Sequence, residues 1–327
     1  PITMALFRPN TMQVFTNGFS ELLDVIGENY RDDELIAAWK AKPGRIILGT
    51  ENNHDNRSWL TSRDTPYHSG QFLWTGVEYL GEGQTWPNIG WGTALLDRNG
   101  FWRPLGLERQ SWWTDAPMVK MVRREGNAGS GSNTNVMDWT PADFGTYDIG
   151  RVSVYSNCQE VELFLNGTSL GKLPANADLT PRAWDVEFAP GTLKAVGYNN
   201  GQKVAEEELR TADTPVKVQL KSERPSVQNT WDDLVYITAT VVDKKGERNP
   251  NLNPKLKFSI SGPGKIIAVD NGSTTSHEPY QTGQRTTYQG KAVALVQATA
   301  NSGKITVTVS AEGLEGSSVT IDAVPAR

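Results

Sequence analysis

The feature that most constrains the fold is a series of short apolar segments in the first third of the chain. They begin at residues 2, 24, 45 and 71 and read ITMALF, DVIGENY, RIILGTE and QFLWTGVEYL. The intervening RDDELIAAWKAK has an apolar face and acidic residues at its start, which predicts a helix. TMQVFTNGFSELL predicts a weaker helix at 11–23, and LGLERQSWWTD predicts a closing helix at 105–115. Apolar strands alternating with helices are typical of parallel βα units.

The pattern changes after residue 117, where apolar and polar residues alternate with a period of two. Segments such as DIGRVSVYS, EVELFLNGTSLG and KVAEEELRTA are separated by turns that contain NG, PG and NNG. This alternation, with its regularly placed turns, predicts an antiparallel β-sandwich over 118–213 and a second, immunoglobulin-like β-sandwich over 214–327. The stretch RTADTPV is the predicted linker. The chain is therefore expected to be multidomain, with a βα region at 1–117.

Charge and composition exclude several kinds of partner and site. The 327 residues carry a formal net charge of −5, which gives no reason to expect nucleic acid. No apolar run is long enough to span a bilayer, so we predict no membrane contact. Three His and one Cys make a zinc site of the usual kind improbable, and we predict no metal and no cofactor. The chain opens without Met, in an apolar segment, so we expect an N-terminal portion outside it.

Tryptophan is the one residue whose abundance is unusual. Nine of the 11 Trp lie within the first 139 residues. A large core explains such enrichment, and so does a carbohydrate site, since the C–H faces of sugar rings stack on indole. The density alone favours the core.

Polar side chains follow three of the predicted strands at the point where each ends. DVIGENY ends in Glu28, Asn29 and Tyr30, RIILGTE ends in Glu51, and the fourth strand carries Glu78 and Tyr79, followed by Glu82. In a parallel α/β barrel the C-terminal ends of the strands share one mouth, where catalytic groups lie. There Tyr30 could donate a hydrogen bond to an ionised, nucleophilic Glu51, and Trp74 after the next strand could form an apolar floor for a sugar. Ordinary strand-end polarity is the alternative interpretation.

Several motifs together resemble one known family. DVIGENY, RIILGTEN and GQFLWTGVEYLGE, in this order, resemble the last strands of the catalytic barrel of glycoside hydrolase family 2, in its bacterial β-galactosidase branch. GFWRPLGLERQSWWTDAPMV is similar to that family's passage out of the barrel. VYSNCQEVELFLNGTSLG and AVDNGSTTSHEPYQ resemble its C-terminal β domains. The resemblance covers nearly the whole chain. It implies the C-terminal half of a TIM (β/α)8 barrel followed by two immunoglobulin-like sandwiches.

The resemblance also implies roles for individual residues. Glu51 matches the nucleophile, Tyr30 the tyrosine that bonds to it, and Trp74 a tryptophan beside the sugar. Retaining hydrolysis needs a second carboxyl group, about 5 Å away, as general acid and base. The family carries that residue in an Asn-Glu pair, which this chain lacks, so the resemblance places it in the missing N-terminal portion of the same enzyme.

Three further residues are predicted to contact the substrate. They are Asn29, His54 and Glu78, the last of which stands where related sequences usually have Asp. For His54, with the neighbouring Asp55, a solvated loop is the competing interpretation.

The segment after the fourth strand lacks a motif that would indicate a sugar acid as substrate. β-Glucuronidases of the family carry an Asn-x-Lys pair there, but Asn88 is followed two residues later by Gly90, and Asn99 by Phe101. We therefore predict a retaining, β-galactosidase-like hydrolase that removes terminal β-linked neutral sugars from oligosaccharides or polysaccharides. A β-glucuronidase or β-mannosidase of the same family is the first alternative. A carbohydrate-binding or adhesion module built on the two sandwiches is the second.

Two other groups of residues have competing interpretations. Trp86 and Trp91, in GQTWPNIGWG, could wall the sugar site or pack in the core. Asp270, Asn271 and Glu278 form an oxygen-rich stretch that could bind calcium, although turn chemistry explains Asp-Asn-Gly with fewer assumptions. The resemblance further implies a periplasmic or extracellular location in a bacterium. The oligomeric state, including a homo-oligomer, stays open.

Overall fold

A four-stranded parallel sheet forms the first part of the molecule. The computed structural model describes residues 1–8, 13–130 and 134–326. The four strands pair in chain order, β1-β2-β3-β4, so the C-terminal ends of all four lie at the same edge. Their bounds are β1 (Thr3–Leu6), β2 (Val25–Asn29), β3 (Ile47–Asn52) and β4 (His68–Leu73).

Helices cover one face of this sheet. Buried Leu35 of the first helix packs with Ile26 of β2 and Ile47 of β3 to form a small apolar core. The second helix, which the apolar pattern did not predict, begins after Asp55, whose carboxylate accepts a hydrogen bond from the Ser58 amide over 2.8 Å. Such a cap satisfies one of the free amides at a helix start. The helices are α1 (Asp32–Ala41), α2 (Asn56–Asp64) and α3 (Pro104–Trp113).

Two predicted elements are shorter than the sequence suggested. Within the described part of 11–23, the helical element is a single 3-10 turn, Phe19–Leu22; residues 11 and 12 lie outside the described residues. Gly18 before the turn has φ of +87°, a left-handed conformation that does not continue an α-helix. The fourth strand ends at Leu73, so Trp74 and the residues up to Leu80 follow the strand instead of belonging to it.

A buried arginine joins the two later helices to the sheet. Arg109 of α3 bonds the amide oxygen of Gln71 on β4. Its guanidinium lies 4.9 Å from the ring centroid of Trp59 on α2, and 5.3 and 4.7 Å from those of Trp112 and Trp113. Cation–π contacts strengthen when the charge is shielded from water. Part of the tryptophan enrichment therefore belongs to packing.

The second region consists of two four-stranded sheets that enclose one core. The strand orders are β10-β7-β5-β6 and β12-β11-β8-β9, with antiparallel pairing throughout. Trp139, Val154, Leu163 and Leu193 lie in the core between them. The strands are β5 (Val119–Arg124), β6 (Asn135–Val136), β7 (Ile149–Ser156), β8 (Glu160–Leu165), β9 (Thr168–Pro174), β10 (Arg182–Glu187), β11 (Thr192–Asn199) and β12 (Gln202–Arg210).

The third region is a nine-stranded sheet that folds over the largest apolar core. Its main path runs β17-β19-β15-β13-β21-β20-β16-β18, and β14 pairs with β21. Alternating buried residues such as Ile237, Val296 and Val307 meet in this core. The strands are β13 (Pro215–Ser222), β14 (Ser226–Gln228), β15 (Val235–Asp243), β16 (Lys255–Ser261), β17 (Gly264–Asp270), β18 (Gln284–Thr286), β19 (Lys291–Ala298), β20 (Gly303–Ala311) and β21 (Leu314–Val324).

The third region contacts the segment that follows β4. Arg98 bonds both carboxylate oxygens of Asp270 at 3.2 and 3.3 Å, and both side chains are nearly buried. The Arg98 guanidinium also donates to the Ser273 carbonyl over 2.9 Å. Such a bidentate pair fixes orientation as well as distance. We call these contacts the Arg98–Asp270 latch.

The described ranges hold neither a helix suited to a bilayer nor a cluster of metal ligands. None of the helices found there combines the length and apolar character that crossing a bilayer requires. In the same residues no group of three or more His, Cys, Asp and Glu side chains is arranged to hold a metal ion.

Candidate active site

An extra residue in β3 aims Glu51. Glu28 of β2 pairs with Gly49, but the next residue, Asn29, pairs with Glu51, so Thr50 is an insertion in the ladder. A bulge of this kind bends the strand and redirects the side chain that follows. The Thr50 hydroxyl donates to the Asn29 amide oxygen over 2.9 Å, which orients the Asn29 amide.

Both oxygens of the Glu51 carboxylate accept hydrogen bonds from the end of β2. The Tyr30 hydroxyl donates to Oε1, and the Asn29 Nδ2 donates to Oε2 over 3.2 Å. Each carboxylate oxygen can accept more than one bond, so the group retains capacity toward a substrate. The half-buried Glu51 is thus held in a fixed orientation by two donors.

Tyr30 reaches Glu51 because its backbone turns sharply at the end of β2. Its φ of +59° is in the left-handed region, which is uncommon for a residue with a side chain. The Tyr30 amide bonds the Glu51 carbonyl at 2.8 Å, so the two residues are joined through backbone and side chain. Burial raises the pKa of the Tyr30 hydroxyl, and the bond to Glu51 raises it further. Tyr30 therefore remains a donor at neutral pH.

Trp74 and His54 lie beside this pair. The Trp74 amide bonds the carbonyl of Asn52 at the end of β3 over 3.1 Å, and 36% of the Trp74 side chain is exposed. Burial lowers the pKa of the His54 imidazole, the Arg109 guanidinium lowers it further, and the backbone of Trp74 acts in the opposite sense. The imidazole is accordingly neutral near pH 7, and both of its ring nitrogens are buried.

Tyr79 and Glu82 extend the group. The Tyr79 hydroxyl donates to Glu82 over 2.5 Å, and its ring meets that of Trp74 edge to face at 5.9 Å. The Glu82 bond, with the negative charge of Glu51 as a smaller cause, raises the pKa of Tyr79 to about 12. The sequence placed Tyr79 and Glu82 among the polar groups after the fourth strand but gave neither of them a role.

Glu78 is engaged in a different way from the other candidates. Only 1% of its side chain is exposed, and Arg103 bonds one oxygen at 2.9 Å. The amides of Trp91 and Gly92 donate to the two oxygens over 3.0 and 2.9 Å. This geometry makes Glu78 the support of the Trp91 segment. A direct contact between Glu78 and sugar stays a sequence prediction, and nothing in this arrangement favours it.

The two tryptophans that follow are surface residues. Trp86 is 81% exposed and Trp91 is 43% exposed. Of the two interpretations of these residues, wall of a site or core, the exposure of Trp86 argues against core packing in this chain.

The oxygen-rich stretch after β17 is satisfied by protein donors. Asp270 bonds Arg98 and the Asn271 amide, while Glu278 accepts the Thr286 amide and hydroxyl at 3.0 Å each. Oxygens engaged in this way serve loop structure, which supports the turn interpretation over calcium.

Glu28 is a buried carboxyl group to which the sequence analysis gave no role. Glu28 faces away from Asn29 on β2, is fully buried, and has no hydrogen-bond partner at either oxygen. Burial raises the pKa of Glu28 to about 8, and the negative charge of Glu34 adds to the effect. Burying an unpaired charge is costly, so the group is held protonated. The available signal was a Glu at the end of an otherwise apolar run.

Two family models match the chain. Residues 218–320 match Glycoside hydrolase family 2 C-terminal domain 5, and residues 149–205 match a Domain of unknown function (DUF4982). The first covers most of the nine-stranded sheet and the second lies within the two-sheet region.

Curated relatives and solved structures extend the similarity to the parallel sheet. The beta-galactosidase BoGH2A of Bacteroides ovatus is 32% identical over 274 residues, which cover 83% of this chain and 30% of that protein. A beta-glucuronidase of Formosa agariphila is 26% identical over 190 residues, which cover 55% of this chain and 19% of that protein. A solved glycosyl hydrolase family 2 member from Bacteroides cellulosilyticus superposes with a TM-score of 0.86 at 33% identity, over 94% of this chain and 43% of that one.

The names of the two curated relatives differ in the sugar that they state. This chain spans 30% of the length of the Bacteroides ovatus relative and 43% of the length of the solved Bacteroides cellulosilyticus structure. The resemblance carried by the sequence motifs is confirmed: the chain belongs to glycoside hydrolase family 2.

Proposed function

We propose that this chain is the nucleophile-bearing part of a retaining β-glycosidase, with Glu51 as the nucleophile. The observation that carries the proposal is the position of the Glu51 carboxylate, which a bulge aims past the end of a parallel strand and Tyr30 and Asn29 hold by hydrogen bonds. A nucleophile must be held close to its productive orientation, and donors fixed by backbone contacts provide this.

In the proposed first step, a Glu51 oxygen attacks the anomeric carbon of the terminal sugar. The bond from that carbon to the leaving oxygen breaks, and the leaving oxygen takes a proton from a second carboxylic acid. In the second step a water molecule, deprotonated by the same group, attacks the anomeric carbon and releases Glu51. Two inversions retain the configuration. Tyr30 and Asn29 stabilise the Glu51 carboxylate before it attacks in the first step and when the second step releases it.

The second carboxylic acid is proposed to come from elsewhere in a longer protein. Parallel sheets are ordinarily covered on both faces, whereas here Phe7 and Phe72 of the first region are more than half exposed. We propose that four further βα units complete a (β/α)8 barrel with β1–β4, cover these side chains and bring the acid opposite Glu51. The boundaries 1–117, 118–213 and 214–327 stand as proposed domain limits.

The proposed substrate is a terminal β-linked neutral sugar of an oligosaccharide or polysaccharide, with galactose as the first choice. Support comes from the absence of an Asn-x-Lys pair in the segment after β4 and from the named activity of the Bacteroides ovatus relative. Trp74 is a proposed sugar contact, since its indole is partly exposed. A sugar contact from His54 stays a sequence prediction, because both of its ring nitrogens are buried. A β-glucuronidase is the rival, because the Formosa agariphila relative carries that name.

Mechanism-based labelling tests the assignment. A 2-deoxy-2-fluoro-galactoside traps the glycosyl-enzyme, so we expect peptide mass analysis of the longer protein to find the sugar on Glu51. A parallel reaction with the glucuronic acid analogue separates the two substrate classes. Labelling on another carboxylate would refute Glu51 as nucleophile, and labelling by the uronic acid alone would refute the neutral-sugar assignment.

A further inference from the structure

A contact between the rings of Trp86 and His277 brings together two parts of the chain that are distant in sequence. The ring centroids are 4.2 Å apart with an interplanar angle of 32°. Trp86 belongs to the segment after β4, whereas His277 belongs to the third region, between β17 and β18. Although one face of the indole contacts the imidazole, 81% of Trp86 remains exposed. An exposed, backed indole presents a flat apolar surface to solvent.

The loop that carries Trp86 is held on both sides of its tip by the third region. The His277 Nε2 donates to the Pro87 carbonyl over 2.8 Å, and the Ile89 amide donates to the Thr274 carbonyl over 2.7 Å. Within the loop, the Asn88 amide bonds the Thr85 carbonyl at 2.9 Å. The Arg98–Asp270 latch anchors the same two segments further along the chain. The indole is therefore positioned in advance of binding, which lowers the entropic cost of recognition.

The loop also connects to the candidate active site. The Gly81 amide bonds the Ile89 carbonyl at 2.9 Å, which closes the loop against the residues following Tyr79. The Tyr79 ring meets that of Trp74 edge to face at 5.9 Å, and its hydroxyl donates to Glu82. Trp86 follows these residues along one continuous segment that begins at the end of β4.

The chemistry around Trp86 identifies a class of ligand. Its loop neighbours Gln84, Thr85 and Asn88 are exposed, uncharged and able to donate and accept hydrogen bonds. A flat apolar face ringed by neutral polar groups suits a pyranose, which has C–H faces and equatorial hydroxyl groups. A charged peptide or anionic ligand would find no opposite charge among these three side chains.

We propose that Trp86, backed by His277, is a stacking platform for a second sugar unit of an oligosaccharide, beyond the unit that reacts at Glu51. This inference deepens the proposed function and rests on it for the position of the reacting sugar. It gives the third region a part in substrate binding, since His277 and the latch hold the platform in place.

The test is an NMR titration of the 327-residue chain with galactotriose and with galactose. Loss of one stacking contact is worth about 0.5–1.5 kcal/mol, so we expect Trp86→Ala to raise the Kd for galactotriose about 3- to 10-fold. We expect the Kd for galactose to stay the same, His277→Ala to have a smaller effect in the same direction, and Trp86→Phe to retain part of the affinity. Trp231→Ala is the matched control, because Trp231 is 88% exposed and lies between β14 and β15.

Thermal unfolding of each variant checks that the fold is intact, as expected for substitutions at exposed side chains. The proposal is overturned if the wild-type chain binds no galactotriose at millimolar concentrations. It is also overturned if Trp86→Ala leaves the affinity unchanged, or if Trp231→Ala weakens binding equally. Glu51 labelling in the longer protein is independent of these results. Unchanged affinity with labelled Glu51 refutes the platform alone, and weakened affinity without labelling refutes the nucleophile alone.

Discussion

The parallel sheet and the β-sandwich regions differ in how completely they bury their apolar side chains. In the described residues, 14 of the 22 exposed large apolar side chains lie within the first 117 positions. The third region instead gathers 18 buried residues in one core, and the helix-covered face of the parallel sheet gathers five. Of the 14, Met4 and Phe72 lie on the strands of the parallel sheet and the rest lie in the segments around it, so this region leaves more apolar surface exposed than the β regions do.

The difference separates stability from chemistry. A sandwich needs only its two inner faces, so its strands can satisfy the apolar pattern within the chain. A parallel sheet needs cover on both faces. The region with the incomplete interior is also the one that holds Glu51, Tyr30 and Trp74. Four measurements test this difference between the regions.

The largest expected effect concerns the chemistry of the first region. Glu51→Gln preserves the size of the side chain and removes the charge that the proposed glycosyl-enzyme requires. We expect kcat of the longer protein to fall by on the order of 10⁴-fold or more. Glu187→Gln, at an exposed position on β10, is the control and should leave the rate unchanged. A nearly fully active Glu51→Gln enzyme would show that Glu51 is not the nucleophile.

The second measurement compares the two interiors directly. Leu163 on β8 is fully buried, and its replacement by Ala should lower the free energy of unfolding by about 2–5 kcal/mol. Phe72 on β4 is 63% exposed, so Phe72→Ala should change it by less than about 0.5 kcal/mol. Chemical denaturation of the 327-residue chain measures both. Equal losses would show that Phe72 is packed within this chain as closely as Leu163.

The third measurement uses the pH dependence of stability. Below pH 4.5 Glu28 is protonated in both states, but between pH 4.5 and about 8 the unfolded chain releases the proton and the folded chain keeps it. Stability should therefore fall as pH rises through this window, by on the order of 3 kcal/mol relative to Glu28→Gln. Denaturation of both chains at pH 5 and pH 8 gives the difference. Parallel pH profiles would contradict a buried, protonated Glu28.

The smallest expected effect concerns the positioning of Glu51. Tyr30→Phe removes one hydrogen bond to a charged acceptor, which is worth about 1.5–3 kcal/mol, so kcat/KM should fall about 10- to 100-fold. The melting temperature should change little. Tyr288→Phe, in the third region, is the control with an exposed hydroxyl-bearing ring. A loss of stability without a loss of rate would make Tyr30 a structural residue only.

The strands and the approximate neighbours of Glu51 followed from the sequence for a physical reason. Uninterrupted apolar runs such as RIILGTE have few alternatives to a buried parallel strand, and the residues at their ends must meet at one edge. The alternation in the β regions predicted their strands by the same logic. The helix α2 was not predicted, because its sequence is mostly polar and its main signal is the Asp55 cap.

The finer geometry of the site could not be predicted. The Thr50 bulge and the left-handed backbone of Tyr30 depend on pairing between β2 and β3, which no local pattern encodes. For Glu78, the sequence predicted a sugar contact, while the structure engages its carboxylate with Arg103 and the Trp91 segment. The contact between Trp86 and His277 joins positions 191 residues apart, and no pattern in either flanking sequence predicts it.

The Arg98–Asp270 latch has a consequence for how such chains can be recombined. A chimera that receives its C-terminal domain from another enzyme would inherit a foreign counterpart of Asp270 and of the residue that backs Trp86. Under the proposed role of Trp86, the exchange would leave Glu51 and its donors intact and still alter which extended glycans bind. Swapping this terminal domain is thus expected to change selectivity without altering the strand ends that hold Glu51.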